Sequence, residues 1–386
     1  MFLQLGVTSF GGPIAHIAYF REELVKKRRW VDDAQFGQLL AICQFLPGPA
    51  SSQLGFSLGL LRHGWTGGLA AFLAFTLPSA ILLLLLSTAV PLAAGPVGHA
   101  LMRGAKLMAC AVVAHAVLGM ASQLCPDRPR QTIAVLTAIA VLWVSTASAQ
   151  VVAVVLAAGA GIVFMPKLMV IQASSALAVP YGRKLGITCL LLFFSLLVGL
   201  PALASSELSL TSAAEAFARS GALVFGGGHV VLPLLEEAVV RPGWLTADEF
   251  FAGYGAAQGI PGPLFTFAAY LGALLAPPGH TLLWSATAVL CIFLPGLLLI
   301  AGILPWWQTV ARYSAVLHAI AGINAAVVGL LAAALYHPLF THAVASAADM
   351  ALVVAAWGLL SLWRVPVAVV LAGCLAVTAV PAWLAS

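Results

Sequence analysis

Charge is scarce in this chain. Asp and Glu number 12 and Lys and Arg 17 in 386 residues, while 62% are hydrophobic and the mean hydropathy is +1.07. That composition excludes a water-soluble domain and implies a polytopic helical membrane protein. The apolar runs are long and unbroken, which excludes the alternating ten-residue segments of a β-barrel. The six cysteines stand singly at 43, 110, 125, 189, 291 and 374, without a C-x-x-C or Cys/His cluster. Neither a disulfide framework nor a metal site is expected, nor any other cofactor. H-E-x-x-H is missing, and no enzyme is expected. A P-loop is missing too, so ATP is not expected as the energy source. The first residues lack the basic n-region and cleavage site of a signal peptide. The net charge of +5 is better read through membrane topology than as affinity for nucleic acid, and no nucleic-acid partner is expected.

Glycine and proline, by contrast, are frequent and recur in a pattern. FLQLGVTSFGG (Phe2 to Gly12) lies over FARSGALVFGG (Phe217 to Gly227). Glu22 then falls on Glu237, Trp30 on Trp244 and Phe36 on Phe250. Gln44-x-x-Pro47-Gly48-Pro49 matches Gln258-x-x-Pro261-Gly262-Pro263. Leu77-Pro78 resembles Leu294-Pro295, and Gly104-x-Lys106 lies near Gly322-x-Asn324. Several matches in one order at near-constant offset indicate an internal duplication.

Each half reads as six apolar segments, roughly 2–20, 36–61, 65–91, 97–122, 131–147 and 149–166, then 216–235, 249–275, 281–304, 315–336, 343–362 and 365–384. One further segment, roughly 184–204, connects them. The expected organisation is an N-terminal repeat at 1–166, a linker with one transmembrane helix at 167–214, and a C-terminal repeat at 215–386. The last two segments of each half are short for full spans and suit a tilted helical hairpin.

Lys and Arg favour the cytoplasmic side. The loop after the first segment carries Arg21, Lys26, Lys27, Arg28 and Arg29, while its counterpart carries only Arg241 among acids. The two loops are therefore expected on opposite sides, which makes the halves inverted repeats, a common transporter plan. If every segment crosses, Arg128, Arg130, Lys167, Arg183 and Lys184 fall outside. If the first two segments of each half are re-entrant, every basic residue except Arg103, Lys106, Arg219 and Arg241 is cytoplasmic. The second arrangement is preferred; full spans with swapped orientation remain the alternative. The expected fold is thus all-α and polytopic, with two inverted repeats built on broken, re-entrant helices.

Gly11-Gly12-Pro13, Pro47-Gly48-Pro49, Gly226-Gly227-Gly228 and Pro261-Gly262-Pro263 mark the tips of the dipping segments. Proline is tolerated in the first turn of the helix that restarts. Irregular backbone at membrane depth survives only inside protein or along a wet cavity. Each restarting helix offers free N–H groups and about half a positive charge. Four such ends suit an oxyanion with two negative charges. Ser9, Ser51, Ser52, Thr266, Gln44 and Gln258 add side-chain donors. The alternative is that Gly and Pro merely kink packed helices.

Arg103 and Lys106 share one face of their helix, and intramembrane cations mark a pathway or a buried pair; the alternative is snorkelling to an interface. Arg219 is similar and closer to an interface. Glu22 and Glu237 are candidates for coupling or gating, or else solvated helix ends. His16 and His229 follow the Gly motifs and are further coupling candidates, though they do not align with each other.

These motifs resemble the chromate ion transporter family. The resemblance rests on FGGP at Phe10–Pro13, the loosely kept spacing from Trp30 to Phe36, and QFLPGP at Gln44–Pro49. In the second half it rests on VFGGGHVVLPLLE at Val224–Glu236, AQGIPGP at Ala257–Pro263 and GINAAVVGLL at Gly322–Leu331. It covers nearly the whole chain and corresponds to the long, two-domain form. It implies export of chromate across the bacterial inner membrane, chromate resistance and a link to sulfate, with the Gly and Pro motifs as functional core. The expected partners are chromate or sulfate and the lipid bilayer, with a homodimer as a possible assembly. Sulfate or another oxyanion as main substrate is the alternative. Met1 stands almost at the first motif, a departure from the family's pattern. Lys106 opposite Asn324 means that the halves need not contribute equally.

Overall fold

The computed structural model describes residues 1–10, 12–89, 95–144, 147–165, 177, 179–205, 207–225, 228–310 and 313–384. Gly11, Gly226 and Gly227, together with Lys167 and Arg312, therefore lie outside the described residues.

Among the described residues the chain is helical, with no strand. Each of the four expected dipping segments is a helix, a break and a second helix. The first is α1 (Phe2–Thr8) and α2 (Gly12–Phe20), and the second is α3 (Asp33–Phe45) and α4 (Ala50–Ala89). α4 is two helices in effect, because His63 and Gly64 leave helical geometry and Gly64 takes φ +64°. There follow α5 (Pro96–Leu124), α6 (Arg128–Trp143), α7 (Ala147–Phe164) and the connector α8 (Arg183–Leu203). The second half repeats the plan. α9 (Leu210–Leu223) breaks before a 3₁₀ turn (Gly228–Val230) and α10 (Val231–Leu235). α11 (Ala247–Ala257) breaks before another 3₁₀ turn (Leu264–Thr266) and α12 (Phe267–Leu275). α13 (Thr281–Ile303), α14 (Trp307–Val310), α15 (Ser314–Ala334), α16 (Thr341–Ala343), α17 (Ala347–Ser361) and α18 (Val367–Leu384) complete the chain.

Among the described residues six helices are long and apolar enough to cross a membrane, the longest at Ala50–Thr88. Broad apolar surface on α6, α7, α8 and α18 remains exposed, as a lipid environment requires. α6 has 16 residues and α17 has 15. At 1.5 Å per residue each spans ~24 Å or less, short of the ~30 Å hydrocarbon core.

The terminal hairpins exchange partners. α6 and α7, from the first half, pack on α15 of the second; α17 and α18 pack on α5 of the first. Small residues make this possible. A Cβ on Gly104 of α5 would stand 2.9 Å from the Cys374 carbonyl oxygen of α18. Gly322 of α15, its sequence counterpart, meets the Ala157 carbonyl of α7 even more closely. Close approach through glycine is how membrane helices gain van der Waals contact where burial of apolar area gives no drive.

Both halves also loosen into π-helix at matching places, Arg21–Lys27 after α2 and Glu236–Val240 after α10. Widened turns of this kind concentrate at functional sites.

Candidate functional site

The four breaks meet in pairs, and each pair joins the two halves. The Gly48 N–H donates to the Val224 carbonyl at 2.7 Å. The Gly262 N–H donates to the Ser9 carbonyl at 3.0 Å. Ser9 and Val224 precede the two Phe-Gly-Gly motifs, and Gly48 and Gly262 are the middle residues of the two Pro-Gly-Pro motifs. The same exchange is therefore made twice, by residues that the duplication equates.

Glycine is required at both donors. Gly48 has φ +123° and Gly262 has φ +107°, a region that side chains rarely enter. Space is also short. A Cβ on Gly48 would lie 3.0 Å from Gly296 Cα, and one on Gly262 would lie 2.9 Å from Ser79 Cβ. Gly296 and Ser79 each follow the matched Leu-Pro pair, so these contacts are counterparts as well. Gly12 has φ +71°, with open space where its Cβ would be.

A histidine ties the two dipping segments together within each half. His16 Nε2 lies 3.2 Å from the Ser9 carbonyl and Nδ1 lies 3.3 Å from Ser51 Oγ. A carbonyl only accepts, so the neutral ring carries its proton on Nε2 and accepts from Ser51 at Nδ1. In the second half His229 Nδ1 meets Tyr254 Oη at 2.9 Å. The two histidines occupy different alignment positions and make equivalent ties.

The first half lines its breaks with polar groups. Ser9, Ser51, Ser52 and Gln53 are all buried. The Gln53 amide donates to the Pro47 carbonyl at 2.9 Å and to the Gly296 carbonyl at 3.0 Å, joining its own break to the other half. Ser9 Oγ, Ser52 Oγ, Gln53 Oε1 and Thr76 Oγ1 are buried with no hydrogen-bond partner among the described residues. Orphans of this sort are rare in stable cores and mark a place for water or a ligand. Ser51, Ser52 and Gln53 form the first turn of the long helix α4, where free N–H groups and the helix dipole favour an anion.

The second half is built differently. Phe265, Thr266 and Phe267 stand where Ser51, Ser52 and Gln53 stand in the first. Phe267 stacks on Tyr270 at 5.6 Å, and Thr266 Oγ1 is turned back to the Pro263 carbonyl at 2.5 Å. Gln258 Nε2 reaches the Tyr254 carbonyl at 3.4 Å, and Gln44 on α3 is exposed. Pro261 and Pro263 are buried and Gly228 opens the 3₁₀ turn, whereas the two glycines before it lie outside the described residues. Pro13 sits in α2.

The Lys, Arg and Glu candidates are held in ion pairs. Arg103 Nε binds Asp349 Oδ1 at 2.8 Å, and Lys106 Nζ binds Asp248 Oδ1 at 2.8 Å. Both acids belong to the second half, so α5 is held electrostatically to α17 and α11. Arg219 pairs with Glu215 at 2.7 Å. Glu22 pairs with Lys26 at 2.8 Å, and Glu237 accepts from Arg241 at 3.1 Å. These last two are counterparts, each four residues apart on a π turn. The hydrogen bond and charge of Lys26 hold the exposed Glu22 carboxyl below its ordinary range. Asn324, opposite Lys106 in the alignment, has a buried Oδ1 with no partner among the described residues.

Sequence reading does not single out Gln53, Tyr254, Ser79, Gly296, Asp248 or Asp349. Gln53 was within reach: it lies in the turn that Pro49 opens. Tyr254 matters through His229 of its own half, and the others through a contact with the opposite half.

A polytopic bundle whose broken helices meet at an internal, hydroxyl-lined joint defines a membrane transporter of small solutes. The family comparison gives the particular group. The chain matches the chromate transporter family over residues 1–164 and 211–379, and it belongs to that family. It is 28% identical over 346 residues to the "Probable chromate transport protein" of Synechococcus elongatus, covering 86% of this chain and 81% of that one. It is 27% identical over 340 residues to the "Chromate transport protein" of Pseudomonas aeruginosa, covering 86% and 78%. It is 28% identical over 345 residues to the "Chromate transport protein" of Cupriavidus metallidurans, covering 86% and 80%. No solved structure matches the chain.

Proposed function

We propose that this protein is a secondary transporter that exports chromate across the inner membrane by alternating access and so confers chromate resistance. The reading takes residues 1–166 and 215–386 as inverted repeats, joined by the linker at 167–214. The observation that carries it is the doubled exchange, Gly48 to Val224 and Gly262 to Ser9, which brings all four breaks to one joint. Beside that joint, at the N-terminus of α4, stand buried hydroxyls without partners among the described residues. The oxyanion is held by these neutral donors and by peptide N–H groups, off the pseudo-two-fold axis and toward the first half.

An inside-negative potential drives anions outward with about 2.3 kcal/mol per charge per 100 mV. For a dianion that is about 4.6 kcal/mol, on the order of a thousandfold concentration ratio. Export therefore needs no ATP. Hydroxyl and N–H donors read charge and tetrahedral shape, which sulfate shares, so sulfate is expected to compete. The test is chromate flux in everted vesicles or proteoliposomes under an imposed potential. Potential-dependent flux that Gly12→Leu and Gly262→Leu abolish supports the reading. Normal flux in both variants removes the breaks from the transport path.

A further inference from the structure

The position of Lys106 and the direction of its side chain point to different places. Gly255 of α11 packs so closely on the Ala105 carbonyl that a side chain there has no room. The backbone of Lys106 is thereby fixed beside the end of α11, one turn from the Pro-Gly-Pro break. The Gln258 N–H in turn bonds the Gly255 carbonyl at 3.2 Å, which continues the contact into that break. Yet the ammonium is drawn to Asp248, seven residues before Gly255 and so ~10 Å away along α11.

The two cations on this face of α5 are held unequally. Asp349, which binds Arg103, is 3% exposed and also accepts from the Ala345 and Ser346 N–H groups and from Ser346 Oγ. That pair is locked into a helix cap. Asp248 is 60% exposed and Lys106 13%, and among the described residues the Asp248 side chain is bound by Lys106 alone. The α11 cap rests on Thr246 and Glu249 instead. A lysine on a flexible four-carbon stem, bound once to an exposed acid, can change partners.

We infer that Lys106 is a swinging cation, parked on Asp248 and transferred to the oxyanion when the anion is bound at the joint of the four breaks. This rests on the transport reading above. The transfer is one-sided, because the alignment puts Asn324 opposite Lys106 and Ala34 opposite Asp248. Lys106 acts here as a specificity-determining contact and Asp248 acts through it.

The test is chromate binding by the purified full-length protein in detergent, measured by isothermal titration. Asp248→Asn frees the ammonium and should tighten binding about tenfold, the worth of one charge-assisted contact. Lys106→Gln should weaken it about tenfold, and the double variant should bind like Lys106→Gln. Should Lys106→Gln misfold, Lys106→Met with the exposed Asp248→Asn decides the matter. A merely structural pair predicts weaker binding for both single variants and recovery in the double one. That result, or unchanged binding in Asp248→Asn, overturns the inference while leaving transport standing. A wild-type protein that neither binds nor moves chromate overturns the transport reading and the inference with it.

Discussion

Gln53 in the first half holds the Gly296 carbonyl of the second, at 3.0 Å, with the same nitrogen that holds its own Pro47 at 2.9 Å. One amide thus fixes both the shape of a break and its place against the other half. Replacing it by Met keeps the volume and removes both bonds. The expected cost is about 1–3 kcal/mol, read as a lower melting temperature in detergent; an unchanged melting temperature would show that the bridge is not maintained.

The two Pro-Gly-Pro glycines should differ in how far they can be repaired. Gly48→Ala meets the backbone of Gly296, which cannot yield. Gly262→Ala meets the Ser79 side chain, which Ser79→Gly removes. The double variant Ser79→Gly/Gly262→Ala should recover part of the lost stability and flux, short of the ~1–2 kcal/mol that a positive φ costs a side chain. Equal loss in single and double variants would refute the contact.

Asp349 is predicted to be structural. Asp349→Ala removes the cap of α17 and leaves Arg103 without its acid. Arg103 is half exposed, so water offsets much of the lost pairing. The expected loss is about 1–3 kcal/mol of stability, seen as a lower melting temperature with chromate affinity unchanged in the protein that remains folded. A selective loss of affinity would place this pair in the transport path instead.

Much of the molecule was legible in the sequence, for identifiable reasons. Apolar runs and Gly-Pro punctuation report local backbone behaviour, so all four helix–break–helix segments fall where they are expected. The duplication placed Gly48 with Gly262 and Ser9 with Val224. It did not say that each Gly would bond to the other half, because partner choice depends on which faces meet. The same limit hid Asp248 and Asp349. Nothing in the sequence marks either acid until α5 is seen to lie against α11 and α17. The inequality of the halves was open to inspection, since Gln53 aligns with Phe267, but its meaning needed the contact to Gly296.

Histidine supplies a further check. His16 connects Ser9 and Ser51, and His229 connects to Tyr254, without a shared alignment position. Tyr254→Phe removes only the hydroxyl and should reduce flux several-fold with little change in fold, since one hydrogen bond contributes about 1 kcal/mol. His16→Ala removes two bonds at the polar break and should be the more damaging; the opposite order would move the site toward the second half.

The most direct measurement is a density map of the protein in lipid nanodiscs with chromate bound, at a resolution that locates a metal-centred tetrahedron. The account predicts one peak within about 3 Å of the first-turn N–H groups of α4 and the hydroxyls of Ser9 and Ser52. A peak elsewhere in a transport-competent protein, or breaks that point away from it, would contradict the account.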